Sequence, residues 1–385
     1  MLRATKQTIK SPIMPGTYFL QGNEACADGA YIAGCRFFAG YPITPSSELM
    51  RRICERFLEF GDGAFIQMED ELGSIGAVIG ASWAGSKAMS ATSGPGFSLM
   101  MESIGYAVMT ETPCVIMDIQ RVGPSTGQAT RPAQSDIQQA RWGNHGGYPL
   151  IALCPASGQE YLDMTVRAFN LAEAFRVPVI LLGDEVIGHA REKVTVAESY
   201  EVLRRYHKPG EAPFDTDDES LVPSMPRFGD HEKLLVTGST HNAAGLRKAS
   251  SPEAQKRLAW RFTEKIDRHC DLIVDTESVM LDDADVAIVA FGAPSRTARS
   301  VVSRLREGGQ KVGLLKLNTL WPVPEKQILE LDLPGRKIAV PEMNNGQFVL
   351  EVQRLAKNAE VFSFTQEDGE AICPDSLSSF IKGLL

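Results

Sequence analysis

Five short apolar runs, at residues 64–67, 88–91, 113–119, 150–154 and 177–182, punctuate the first half of the chain. Between them lie stretches of helical spacing, residues 70–84 and 97–110 among them, long enough to cross back over a sheet. Strands joined by such crossovers run parallel, and a parallel sheet is covered by helices on both faces. The alternation predicts an α/β domain over residues 20–195, preceded by a tail at 1–19. From about Val196 the rhythm stops. Pro209, Pro213, Pro223, Pro226 and an acidic run at 215–219 replace it, so residues 196–267 are expected to form an irregular linker. A smaller α/β unit is expected over 268–385, with strands at 286–290, 311–317 and 338–340 and a helix at 296–307.

Several function classes are excluded early. The net charge of −9 opposes a nucleic-acid role, which needs a basic face. No stretch of about 18 apolar residues exists to span a membrane. Arg3, Lys6 and Lys10 are not followed by the apolar segment of a signal peptide, and a cytoplasmic location is expected. The seven cysteines (Cys26, Cys35, Cys54, Cys114, Cys154, Cys270, Cys373) form no C-x-x-C pair. Scattered in apolar company, they read as buried reduced thiols, and no iron–sulfur cluster is expected on this chain.

Four motifs stand out in the first domain: GYPITPSS at 40–47, QMEDEL at 67–72, TSGPG at 92–96 and QRVGPSTG at 120–127. Ligands of an open parallel sheet bind at the carboxyl ends of the strands, where such loops gather. Small and hydroxyl residues next to a helix start suit an anionic ligand through free N–H groups. Ser46, Ser93 and Ser125 are equally compatible with simple helix capping. Glu71 is a sharper signal, because the residues after it (LGSIGAV) are small or apolar and favour its protonated form. Glu69 and Asp70 are ordinary helix-start acids. Arg121 ends an apolar strand at a Gly-Pro turn, where it suits a ligand carboxylate or a structural ion pair.

Together, YPITPSS, QMEDELGSIGAVIGASWAG, SATSGPGFSLMMESIGYA, TETPCVIMDIQRVGPSTGQAT and FRVPVILLGDEVIGH resemble the alpha subunits of the 2-oxoacid:ferredoxin oxidoreductases over residues 20–195. GAPSRTARSVVSRLREGG and LKLNTLWPVPEKQI resemble the family's transketolase-C-like domain, and Thr237–His241 its linker motif more loosely. The resemblance implies a thiamine-diphosphate-binding fold of the pyrimidine type plus that smaller α/β domain. It implies that Glu71 contacts the aminopyrimidine as the catalytic acid–base group. Thr44, with Ser46 beside it, and Arg121 would bind the substrate, and Gly94 and Gly96 would line the cofactor site.

The thiamine-enzyme motif for Mg²⁺ and diphosphate is a GDG followed by an asparagine pair. Here Gly61-Asp62-Gly63 precedes a strand and reads as a turn, while Asn344-Asn345 lies in the other domain. No metal ligands are therefore expected on this chain. Mg²⁺ and the [4Fe–4S] clusters are implied to reside on partner chains: a beta subunit, with gamma and small ferredoxin-like subunits as further candidates. Coenzyme A is the implied co-substrate, ferredoxin the acceptor, and a dimer of alpha–beta units the assembly. GPSTGQAT and NHGG resemble the 2-oxoglutarate enzymes, with Arg131, Arg141 and His145 as candidates for a second substrate carboxylate. Branched-chain 2-oxoacid or arylglyoxylate enzymes are alternatives, as is a ligand-binding or scaffold protein without chemistry.

Overall fold

A computed structural model describes residues 3–385. The five apolar runs form strands Ala64–Gln67, Lys87–Thr92, Cys114–Val122, Ile151–Leu153 and Pro178–Asp184, and the helical stretches form Glu71–Trp83 and Gly94–Met109. The main sheet runs in the order Thr319–Trp321, Ile151–Leu153, Pro178–Asp184, Cys114–Val122, Lys87–Thr92, Cys35–Gly40, Ala64–Gln67, with Gln128–Pro132 paired to Cys114–Val122 at the side. All pairings along this path are parallel except that of Thr319–Trp321.

Both faces are covered. Val115, Met117 and Ile119 pack into the core under Gly22–Ile32 and Gly158–Phe175. Cys114 and Ile116 pack into the core under Glu71–Trp83 and Gly94–Met109. Period-two alternation with both sets buried explains why the strand reads as one continuous apolar run.

Cys35–Gly40, inside the sheet, was hidden in the sequence by Arg36. That side chain lies with its guanidinium carbon 4.0 Å from the Tyr31 ring centroid and donates through Nε to Asp62 at 2.7 Å. Gly61-Asp62-Gly63 is the expected turn, with Gly61 at φ 67° closing the helix Ser47–Phe60. Cys26, Cys35, Cys114 and Cys154 are buried, and burial pushes the first three thiols up to about 12.

Two regions are more ordered than expected. The tail holds strands Thr5–Lys10 and Gly16–Gln21, paired antiparallel with Ser199–Arg204 and Arg191–Val196. Each partner lies well over a hundred residues away in the chain, so no local pattern revealed the pairing. The irregular stretch also contains the 16-residue helix Pro252–Asp267. Its signals were local: the Ser251 hydroxyl accepts from the Ala254 N–H at 3.2 Å, proline follows, and Leu258, Phe262 and Ile266 bury one face.

That helix is anchored by a buried charge cluster. Arg261 and Lys265 reach Glu111 at 2.5 and 2.7 Å, and all three side chains are essentially inaccessible. Neighbouring cations hold the Glu111 carboxyl far below its ordinary range against the cost of burial. Glu111→Ala leaves two cations buried without their anion and should destabilise the protein by about 3–5 kcal/mol in urea unfolding. Because the folded-state value is depressed, the Glu111 contribution is present above the ordinary carboxylate range and disappears as pH falls below it.

The second unit is a five-stranded sheet ordered Thr276–Val279, Val312–Leu317, Val286–Ala290, Lys337–Glu342, Glu360–Thr365. The helix Gly292–Glu307 packs on it. Its chain also lends Thr319–Trp321 to the edge of the first sheet. The Gln134 N–H donates to the Met343 carbonyl at 2.8 Å, and Asn344 Nδ2 to the Gln134 carbonyl at 2.7 Å. The seam between the two units is therefore hydrogen-bonded as well as packed.

Candidate functional site

Four neighbouring strands, Cys114–Val122, Lys87–Thr92, Cys35–Gly40 and Ala64–Gln67, end at the four motif loops. Glu71 is the first residue of Glu71–Trp83. Asp70 caps this helix, its carboxylate accepting from the Gly73 N–H at 2.7 Å. This local device turns Glu71 inward, where it is 4 % exposed.

Opposite it, Ser93 precedes Gly94–Met109 without capping it; the Ser93 hydroxyl donates to the Ile119 carbonyl at 2.7 Å. A Cβ on Gly96 would fall 2.2 Å from both Glu71 Oε1 and Thr92 Oγ1. Glycine is thus required for the carboxyl to sit there. Burial raises the Glu71 pKa above the ordinary carboxylate value. Its own backbone N–H opposes the rise, the Asp70 charge adds to it, and the Thr92 hydroxyl also opposes it. Gly96→Ala should displace the carboxyl and, if that carboxyl takes part in a reaction, lower turnover by about 100-fold, the scale set by misplacement of a reacting group by an ångström. Since Gly96 lies in a helix with ordinary backbone angles, the circular dichroism spectrum should be unchanged.

Arg121, 7 % exposed, bridges two other motifs. Nη1 donates to the Thr44 carbonyl and Nη2 to the Thr126 carbonyl at 3.2 Å, while Nε is buried without a partner. No carboxylate forms an ion pair with it among the described residues. The two carbonyls hold its terminal nitrogens at the edge of a cavity of about 580 Å³. Ser125 and Asp136 line that cavity from the first domain, and Asn345, Gln347 and Glu367 from the second. Thr44 is exposed and touches Arg121 through its carbonyl, without lining the cavity. Ser46 is buried at the start of Ser47–Phe60, its hydroxyl donating to the Ile43 carbonyl at 2.9 Å. Gly94 lines the cavity with Arg121.

None of the other substrate candidates lines this cavity. Arg131, half-exposed, pairs with Glu370 at 2.7 Å. His145 lines a separate cavity of about 530 Å³ with Tyr106 and Thr237. Arg141 lies over the Trp142 ring, 3.9 Å from its centroid, and faces a third cavity. No cluster of three or more His, Cys, Asp or Glu side chains suited to a metal ion exists among the described residues. Two buried carboxyl groups near this cavity, Asp118 and Asp136, belong to none of the four motifs. Asp118 had a visible signal, a carboxylate inside an apolar strand; Asp136 had none.

Comparison with known proteins agrees with this architecture. Residues 28–259 match the family model described as pyruvate flavodoxin/ferredoxin oxidoreductase, thiamine diphosphate-binding. Residues 284–376 match pyruvate:ferredoxin oxidoreductase core domain II. A 2-oxoglutarate synthase subunit KorA from Methanothermobacter marburgensis is 51% identical over 96% of this chain and 100% of its own length. The ketoisovalerate oxidoreductase subunit VorB of the same organism is 37% identical over 86% of this chain and 87% of its own. A solved 2-oxoglutarate:ferredoxin oxidoreductase from Magnetococcus marinus, with 2-oxoglutarate, coenzyme A and succinyl-CoA bound, superposes with a TM-score of 0.90 at 31% identity. This match covers 96% of the chain but 65% of that longer one. A split-gene transketolase at 12% identity and a TM-score of 0.55 shares the fold alone. With both domains matched in order and relatives aligned end to end, the chain belongs to the alpha subunits of the 2-oxoacid:ferredoxin oxidoreductase family.

Proposed function

We propose that this alpha subunit serves a coenzyme-A-dependent 2-oxoglutarate:ferredoxin oxidoreductase that forms succinyl-CoA, releases carbon dioxide and passes the electrons to ferredoxin. The observation that carries the reading is the inward-turned Glu71 carboxyl, kept in place by the bare Gly96, one loop away from the Arg121 guanidinium. That arrangement fits the pyrimidine end of thiamine diphosphate: a buried acid of raised pKa can share a proton with a basic ring nitrogen. When bound, the cofactor supplies the electron sink for decarboxylation. Glu71 holds and exchanges the proton at the pyrimidine nitrogen. Arg121 meets the carboxylate common to all 2-oxoacids, and the exposed Thr44 donates beside it. The oxoacid end of the substrate is thereby fixed before reaction, which lowers its entropic cost.

The reading assigns Mg²⁺, the cofactor diphosphate and the [4Fe–4S] clusters to a beta subunit, with gamma and small ferredoxin-like subunits as further members. In support, Tyr41, Ile66, Leu72 and Leu99 are exposed on or beside the motif loops. Clustered exposed apolar side chains of this kind mark a surface for a protein partner. The test is coexpression with candidate beta chains, followed by viologen reduction that requires both 2-oxoglutarate and coenzyme A. Preferential reduction with 3-methyl-2-oxobutanoate would support the branched-chain reading, which the 37% identity to VorB motivates. An assembled complex inactive with every 2-oxoacid counts against an enzyme.

For the distal carboxylate, Glu370 holds Arg131 and His145 faces another cavity. Neither residue lines the Arg121 cavity, so Arg131→Ala and His145→Ala are expected to leave the preference for 2-oxoglutarate over 2-oxobutyrate within about twofold, and loss of the exposed Arg131–Glu370 pair should cost at most about 1 kcal/mol of stability. A selective loss of 2-oxoglutarate in either variant returns that residue to the specificity role.

A further inference from the structure

Asp118 and Asp136 have no part in the steps above, yet both are buried, Asp136 on the wall of the Arg121 cavity and both within reach of the Arg121 charge. Asp118 lies mid-strand in Cys114–Val122, in register with Thr92 and Leu182 on the flanking strands, and is fully buried. A lone ionised carboxylate at such a position is prohibitively costly. Both Asp118 oxygens and Oδ2 of Asp136 lack a donor of proper hydrogen-bond geometry.

Asp136 precedes the helix Ile137–Trp142 but makes no capping bond to it. An aspartate in that position ordinarily accepts from the first turn. Here the carboxyl is turned away from its helix, toward Gly94 and within hydrogen-bond reach of Asp118. Two carboxyl groups so placed form a hydrogen bond only when one of them carries a proton. The Asp136 charge lies against Asp118 and Arg121, and these are the charged groups acting on the pair among the described residues.

We propose that Asp118 and Asp136 share a single proton and, as a singly charged pair, position the Arg121 guanidinium toward the 580 Å³ cavity. The proposal rests on the reading in which Arg121 meets the substrate carboxylate. Its electrostatic logic is simple. One shared proton leaves one negative charge opposite one guanidinium, which orients the cation and adds no net repulsion. A doubly ionised pair sets two negative charges against it and repels the incoming 2-oxoacid. Burial raises both carboxyl pKa values. Asp118 is pushed well above the carboxylate range, with Asp136 adding to the rise and the Gly94 N–H and the Arg121 charge opposing it. Asp136 is pushed to about 6, with the bond from Asp118 and the Arg121 charge pulling it down. Both directions agree with Asp118 as the proton holder. The pair titrates as a unit.

The test uses the assembled complex and has two readouts. In the first, kcat/KM for 2-oxoglutarate is followed against pH. The wild type should fall by about tenfold per pH unit once the shared proton is lost, since kcat/KM reports ionisations of the free enzyme. Asp118→Asn and Asp136→Asn each replace the labile proton by an amide proton, so either variant should flatten this alkaline limb. Should one fail to assemble, the other carries the same test. A purely structural role would lower activity without changing the shape of the profile.

The second readout needs no turnover: the wild-type-minus-Asp118→Asn infrared difference spectrum at neutral pH should show the C=O band of one buried protonated carboxyl, beyond those of other buried acids such as Glu71. An alkaline limb that persists in both variants, or a difference spectrum without the band, overturns the proposal. If Arg121→Ala lowers kcat/KM while the pair variants keep the wild-type profile, the pair proposal fails alone. If Arg121→Ala keeps wild-type kcat/KM, the substrate reading fails and takes the positioning role with it.

Discussion

Glu71→Gln should slow exchange of the C2 proton of bound thiamine diphosphate by about 10²–10⁴-fold, the usual worth of general acid–base assistance. The amide is nearly isosteric and can still hydrogen-bond, but it cannot give or take a proton at the pyrimidine nitrogen. Deuterium exchange at C2 in the assembled complex measures the step directly, before any substrate is added. Stability should move in the opposite direction from activity. Burial raises the Glu71 pKa in the folded protein, so its ionised form is penalised there relative to the unfolded chain. The resulting cost is absent at low pH, below the ordinary carboxylate value, and grows as pH rises through it. Removing the charge at neutral pH should therefore hold or raise the melting temperature. Glu69→Gln and Asp70→Asn are the controls, because asparagine still accepts from the Gly73 N–H and keeps the cap. Wild-type exchange in Glu71→Gln would show that the carboxyl is structural.

Arg121→Ala should lower kcat/KM for every 2-oxoacid alike, by about 30–5000-fold, since removing one member of a buried charged contact costs roughly 2–5 kcal/mol. The loss should be common to 2-oxoglutarate, 2-oxobutyrate and 3-methyl-2-oxobutanoate because they share the carboxylate that the guanidinium faces. Arg121→Lys should recover little. A point ammonium cannot donate to the Thr44 and Thr126 carbonyls and to a ligand in the same planar geometry. Steady-state kinetics on the three acids decides between this role and a purely architectural one. Removal of a loop brace alone would also weaken the link between the motifs at 40–47 and 120–127, detectable as faster amide exchange in both loops. A variant with rigid loops and wild-type kcat/KM would sink the assignment.

What the chain displayed along its length was local: five apolar runs, the helices between the first three of them, and an acid at the head of an apolar helix. Strand type and crossover length follow from neighbouring residues, and so did the α/β class, the Gly61-Asp62-Gly63 turn and the inward Glu71. Capping at Asp70 is a three-residue matter, legible without knowing the sheet order. Other features needed distant partners. Thr5–Lys10 is polar and exposed almost throughout, and becomes a strand because Ser199–Arg204 offers it a ladder. Pro252–Asp267 carries local helix signals, but where it docks is fixed by Glu111, a residue some 150 positions away and unremarkable in sequence. Arg131 looked like a free cation until folding brought Glu370 to it. Asp136 acquired its place only when its loop folded against Gly94 and the strand holding Asp118. Periodicity records which face a residue turns toward its own element, so the sequence by itself determined the fold class and the direction of Glu71. Which charges meet is set by packing between elements, where a buried charge must find a partner or a proton, and only the tertiary structure decided that.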